Sequence, residues 1–236
     1  MFDKKLKDYL VYAIGEILLV VIGILIAVQV NNWNQQRIRA SKEVQILKDI
    51  RNEFELNEKK ISDKQNSRMS ITPRIEAYIL SIARGKSDIQ SFNAFHENEF
   101  MFGMTNPSVG VTDALISSSE ITIIRNDSLK YLLAGWKNQL ENLYENEQIL
   151  WNSGLEFIGS YSNKIPDARY TWFDSDASDV ETASKSILSS IEYRNKLVGF
   201  AGCNNIVIEE CKSILNDIEV ISSCLLYTSP SPRDRG

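Results

Sequence analysis

A single histidine, His96, stands among 236 residues. That scarcity removes whole classes of chemistry. A His-Glu-x-x-His zinc helix needs a second imidazole, and here His96 is followed by Glu97, Asn98 and Glu99 with no such partner. His96 therefore reads as the solvated end of a helix. A serine or cysteine nucleophile wants a base beside it, and no spacing in the chain brings this one near any. Cysteine is as scarce: Cys203, Cys211 and Cys224 make no paired framework. The first two, on one expected helix, lie about 12 Å apart along its axis. That is too far for a disulfide in a straight helix, so they read as buried thiols. Basic runs are missing too. The net charge is −5 with no Lys/Arg-rich face, which argues against nucleic acid as a partner. Phosphate loops, dinucleotide fingerprints, kinase motifs, internal repeats and strand-like alternation are absent. The expectation is a non-enzymatic, all-α chain with no catalytic, cofactor or metal residue to nominate.

What is present begins with residues 10–30, LVYAIGEILLVVIGILIAVQV. At about 1.5 Å per residue, this apolar run matches the roughly 30 Å hydrocarbon core of a bilayer. It is too long for the apolar region of a cleaved signal peptide, and no Ala-x-Ala site follows. Asn31, Asn32, Trp33 and Asn34 come next, with Trp33 placed as an interface anchor. An uncleaved transmembrane helix is expected. Residues 1–9 form its short basic tail, with Lys4, Lys5 and Lys7 favouring a cytoplasmic N-terminus and an extracytoplasmic bundle.

At 100° per residue, Tyr12, Gly15, Glu16, Leu19, Gly23 and Ala27 share about 120° of arc. Bulky Ile17, Leu18, Val21, Ile24, Leu25 and Val28 fill the other side. Small residues let a second helix approach closely, and a charged Glu16 facing lipid would be costly. Two readings stand. The stripe is a packing seam for another transmembrane helix, or Glu16 sits shallow enough to meet interfacial water and the glycines are incidental.

The run YAIGEILLVVIGILIAVQVNNWN, from Tyr12 to Asn34, resembles the opening signature of a family of single-pass bacterial membrane proteins of Bacteroidota type. That family is known only as a domain of unknown function. The resemblance implies a bacterial membrane location and supplies no activity, cofactor or site residue. A second resemblance concerns the end of the chain. Residues 224–234, CLLYTSPSPRD, are similar to a translated sequencing adapter. Residues 224–236 are accordingly set apart as a non-native tail, and the natural chain is expected to continue past Ser223.

Between these ends the pattern is helical. Residues 31–69 read as a juxtamembrane stalk helix, with Ala40, Val44, Leu47, Ile50, Phe54, Asn57 and Ile61 on one face. Glu43, Lys48, Arg51 and Glu55 cover the others. Packing within a bundle is preferred there to a coiled-coil dimer. Pro73 marks a kink or a new start, Gly85 a C-cap, and Ser87 or Asp88 an N-cap. Phe92, Phe95, Phe100 and Phe102 read as core. Thr112 and Asp127 are expected to cap helices, the second of them running from Ser128 to about Gly159. Ile121 to Ile124 reads as a short extended piece or a tight turn. The last helices begin near Asp179 and near Glu192. Residues 70–223 thus make a soluble antiparallel bundle of four to five helices, with residues 38–66 packing on it.

The leading expectation is a membrane-anchored binding, scaffold or accessory subunit whose partners are the lipid bilayer and another transmembrane helix. The alternative is an extracytoplasmic ligand-sensing bundle that signals through a partner. Its ligand loop would be Tyr170, Trp172, Phe173, Asp174 and Asp176. Those acids, with Asp179, lack the glycine and bidentate glutamate of a calcium loop and read as caps and solvated groups.

Overall fold

The computed structural model describes residues 2–96, 103–164 and 178–228. Side chains are described within these ranges except at 2–11, 89, 93 and 178–181. The regular elements among the described residues are all helices, with no strand: α1 (Phe2–Ala83), α2 (Ile89–His96), α3 (Gly110–Ser117), a 3₁₀ turn (Glu120–Ile123), α4 (Asp127–Ser162), α5 (Ser178–Ser189) and α6 (Ile191–Thr228). The all-α expectation holds.

Three long helices make the bundle. Gln65 of α1 bonds the Ile208 carbonyl and Asn204 bonds Thr72, so α1 and α6 run antiparallel. Gln139 meets Asp217 and Lys196 meets Glu156, so α4 and α6 are antiparallel as well. Helices α1 and α4 are therefore parallel. Phe54 against Trp136 (ring centroids 4.6 Å apart) and Arg68 on Glu147 join them at matching heights. Fully buried Ile50, Phe54, Ile61, Leu133, Trp136, Leu143, Val207 and Ile214 fill the space between. Burying such side chains stabilises by about 1.5–3 kcal/mol each.

Helix α1 is one piece, 82 residues long, or about 120 Å. Pro73 neither breaks it nor starts a new helix, so the stalk boundary expected at 69/70 falls inside a continuous helix. Proline there frees the Met69 carbonyl. Met69 is half exposed, so water can satisfy that group, and Thr72 Oγ1 donates to the neighbouring Arg68 carbonyl at 3.2 Å. The helix ends as its sequence reads. Gly85, at φ +64°, donates to the Ile82 carbonyl, and Lys86 donates to Ser81. These two bonds are a Schellman cap, which needs the left-handed residue that glycine supplies. Asp88 caps α2 through the Ser91 amide at 2.9 Å.

Three local expectations are corrected. Asn126, not Asp127, caps α4, its Oδ1 accepting from Leu129 N at 3.0 Å. Asp127 lies inside the first turn and pairs with Lys130. Thr112 lies in the first turn of α3 rather than before it, and its side chain is turned inward. Residues 224–228, set apart with the tail, continue helix α6, which runs to Thr228, and Leu225 packs into the core.

Candidate functional site

The segment between Gly103 and Asn126 lies along one stripe of α1 like a strap. It runs against α1's direction, and bonds pin it at successive heights. Arg68 Nη2 donates to the Gly103 carbonyl at 3.4 Å, and Lys60 Nζ to that of Asn106 at 3.2 Å. Asn57 and Ser108 exchange two bonds of 2.8 and 2.7 Å. Glu53 then accepts from Ser108 Oγ and from the amides of Val111 and Thr112. It also accepts from Thr112 Oγ1. Glu43 accepts from the Arg125 amide at 2.7 Å and pairs with its guanidinium at 3.2 Å. At 100° per residue, Glu43, Glu53, Asn57, Lys60 and Arg68 occupy about 100° of arc.

The acids of this stripe, Glu43 and Glu53, are buried, and each is matched to its donors. Glu53 is 4% exposed and takes four hydrogen bonds. It sits at the N-terminus of α3, whose N-cap Val109 has no side-chain acceptor to offer. A carboxylate from another helix thus supplies the cap and meets the positive end of the helix dipole. Glu147 of α4 is the counterpart on the other side. It accepts from Arg68 Nη2 at 2.9 Å, from the Thr105 amide, and from Thr105 Oγ1 at 2.5 Å. Burying a charge is tolerated when it is paired and bonded in this way. Two buried donors are without partners among the described residues, Arg68 Nε and Trp136 Nε1. The carboxylate oxygens are committed to the strap, and the arrangement acts as a clamp that fixes the strap on α1 and α4.

Beside the clamp lies an open groove of about 280 Å³, walled by Pro107 and Val109 of the strap and by Leu140, Tyr144 and Lys137 of α4. No group of three or more metal-ligating side chains occurs among the described residues.

A second cluster closes the end of the bundle away from the apolar segment. His96 is packed among rings, its centroid 4.2 Å from Phe92, 4.4 Å from Tyr161 and 5.3 Å from Phe95. His96 does end α2, as expected, but it is packed against rings rather than solvated. Its Nδ1 lies 2.9 Å from the Phe92 carbonyl, so Nδ1 carries the proton and donates. The Tyr193 hydroxyl lies 3.1 Å from that of Tyr78 and 3.4 Å from His96 Nε2. Burial lowers the imidazole to about 4 and raises the Tyr161 hydroxyl to about 12. Phe92 and Phe95 are core, as their spacing reads; Phe100 and Phe102 lie outside the described residues. Of the cysteines, Cys211 is fully buried and its thiol is pushed up to about 11, while Cys203 is half-buried.

The residues nominated from sequence stand apart from both clusters. Tyr12, Glu16, Leu19 and Ala27 are exposed along α1, as is the interface anchor Trp33. A Cβ added at Gly15 or Gly23 would meet nothing within 4 Å. The loop residues Tyr170, Trp172, Phe173, Asp174 and Asp176 lie outside the described residues. Sequence reasoning missed Glu53, Arg68 and Glu147, and placed Glu43 on a solvated face where it is in fact buried. A signal existed. Glu53 adjoins the Ile50–Phe54–Ile61 stripe, and Glu147 falls between Leu143 and Leu150. An acid inside an apolar stripe is rarely unpartnered.

These features define an all-α bundle carried on a long helix, one stretch of which is apolar and long enough to cross a membrane and has none of its length buried. The chain belongs to a family of unknown function, DUF6090, whose model matches residues 16–195. Neither the curated proteins nor the solved structures gave a match.

Proposed function

We propose that this chain is a single-pass bacterial membrane protein that acts by binding, as a scaffold or accessory subunit of a membrane complex. Its anchor is residues 10–30, with the N-terminus cytoplasmic and the bundle extracytoplasmic. The observation that carries this reading is the continuity of α1. One helix passes from a wholly uncovered apolar segment into the bundle core, where its Ile50 and Phe54 are buried. No residue from Tyr12 to Arg39 is buried by the chain itself. An apolar face of that extent needs lipid and, on its small-residue side, accommodates a second helix. The carboxylates of the clamp are engaged with backbone amides, which fits a rigid binding body better than a catalytic one.

The test is Gly23→Leu in the full-length protein, with partner co-purification and self-association read from native membranes. Leucine is the better helix former, so helix formation itself is not weakened. Association should fall several-fold if the Tyr12–Gly15–Glu16–Leu19–Gly23–Ala27 face docks a helix, whereas unchanged association removes the seam.

A further inference from the structure

We propose that α2 is a proton-operated latch on the far end of the bundle: protonation of His96 releases α2 while the clamped remainder of the bundle stays folded.

Helix α2 has eight residues, too few to persist without tertiary contacts. It is held by Phe92, Phe95 and His96, which point into rings contributed by three other helices. Tyr78 (α1) stacks on Phe95 at 4.0 Å, and Tyr161 (α4) meets His96 edge-on at 4.4 Å. Phe157 (α4) and Tyr193 (α6) lie 6.0 and 6.1 Å from the imidazole. A second proton must go to Nε2, because Nδ1 already donates to the Phe92 carbonyl. The acceptor facing Nε2 is the Tyr193 hydroxyl, which donates its own proton to Tyr78 and stands at a long 3.4 Å from Nε2.

No described group around the ring offers a countercharge. The titratable groups facing it are the three phenols, Tyr78 from α1, Tyr161 from α4 and Tyr193 from α6, and burial raises all three. They remain neutral wherever an imidazole titrates. On α5, which packs on α2, the charged residue among the described side chains is Lys185, and it is exposed. Just past the end of α1, Arg84 and Lys86 are exposed. Just past the end of α4, Lys164 is turned to Ser190 and Glu192 of the α5–α6 corner. Asp88 at the start of α2 is spent on Ser91. Ring faces attract a cation, yet desolvation is the larger effect and holds the imidazole at about 4 against 6.5 in the open chain.

The open form therefore binds more protons than the closed form between those values, so latch stability rises with pH across that window and is lost as pH falls through it. From pH 7 to pH 5 the opening constant of α2 should grow by about 20-fold.

The experiment is hydrogen exchange on the full-length protein in detergent at pH 7 and pH 5, corrected for intrinsic rates. Residues 86–96 are compared with residues 43–66 of α1. The expected result is about a 20-fold loss of protection in α2 with α1 unchanged, and its absence in His96→Phe, which keeps an apolar ring. Joint loss in both segments would overturn the latch, and so would an unchanged pH response in His96→Phe. If that variant opens α2 at every pH, the imidazole NMR titration of the native protein decides. With one histidine in the chain the signal is unambiguous. A midpoint well below 6 coupled to α2 opening supports the latch, and a midpoint near 6.5 overturns it.

Discussion

At the residue scale, the buried charges of this bundle are the positions where a single substitution leaves an uncompensated partner. Glu147 is 3% exposed and bonded to Arg68 and Thr105. Removing one member of such a set leaves the other buried and uncompensated, which costs about 3–5 kcal/mol. Arg68→Met strands the Glu147 carboxylate, and Glu147→Leu strands the guanidinium. Each single change is expected to lower unfolding stability by that amount. The double change should recover the part of the loss that comes from an orphaned charge, while the Thr105 amide and hydroxyl lose their acceptor in either variant that lacks Glu147. Urea unfolding of the two singles and the double closes the cycle. Additive losses would show that the pair is not the source of the cost. Exposed pairs such as Lys196 with Glu156 are the contrast: in water they contribute at most about 1 kcal/mol.

At the element scale, each helix start can be checked by one substitution. Asn126 accepts from the Leu129 amide, whereas Asp127 pairs with Lys130 on the surface. Asn126→Ala should cost about 1 kcal/mol, and Asp127→Ala a few tenths, in the same denaturation assay. Equal costs would restore Asp127 as the cap. Sequence pattern placed this helix within a few residues and misjudged only which of two adjacent capping residues turns inward. That contrast shows what was legible. Periodic apolar positions, the Gly85 cap and the Asp88 cap are local signals, because the group that satisfies each lies within a few residues. The strap is not local. Glu53 is satisfied by amides 58 and 59 residues away, so its partners cannot be read from its neighbours. His96 failed for the same reason. Its environment is assembled from α1, α4 and α6, and a lone polar residue at a helix end carries no sign of that. Of the two readings at Pro73, the new helix start does not hold: the helix continues through it, with both sides anchored in one core, at Ile61 and at Ile75.

At the scale of the whole molecule, α1 divides into a part that belongs to the bundle and a part that does not. Buried positions begin at Glu43, and none occurs from Tyr12 to Arg39. If residues 10–30 span a bilayer, about 12 helical residues separate its surface from the first clamp contact, or about 20 Å. The clamp at Glu43 and Arg125 then marks the membrane-facing end of the bundle, and the His96 cluster the far end. A chain starting at Ala40 keeps every described core residue and every described strap contact. It is therefore expected to fold as a soluble bundle, its unfolding free energy within about 1 kcal/mol of the full-length protein's, since exposed helix contributes little beyond propensity. Starting the chain at Asn57 instead removes Ile46, Ile50, Glu53 and Phe54, and with them the cap of α3. That chain should lose its cooperative transition. Circular dichroism melts of the two truncations decide the point. Failure of the longer one would mean that the uncovered part of α1 holds the bundle together through contacts made outside a single chain, and the seam would then be structural as well as a docking face.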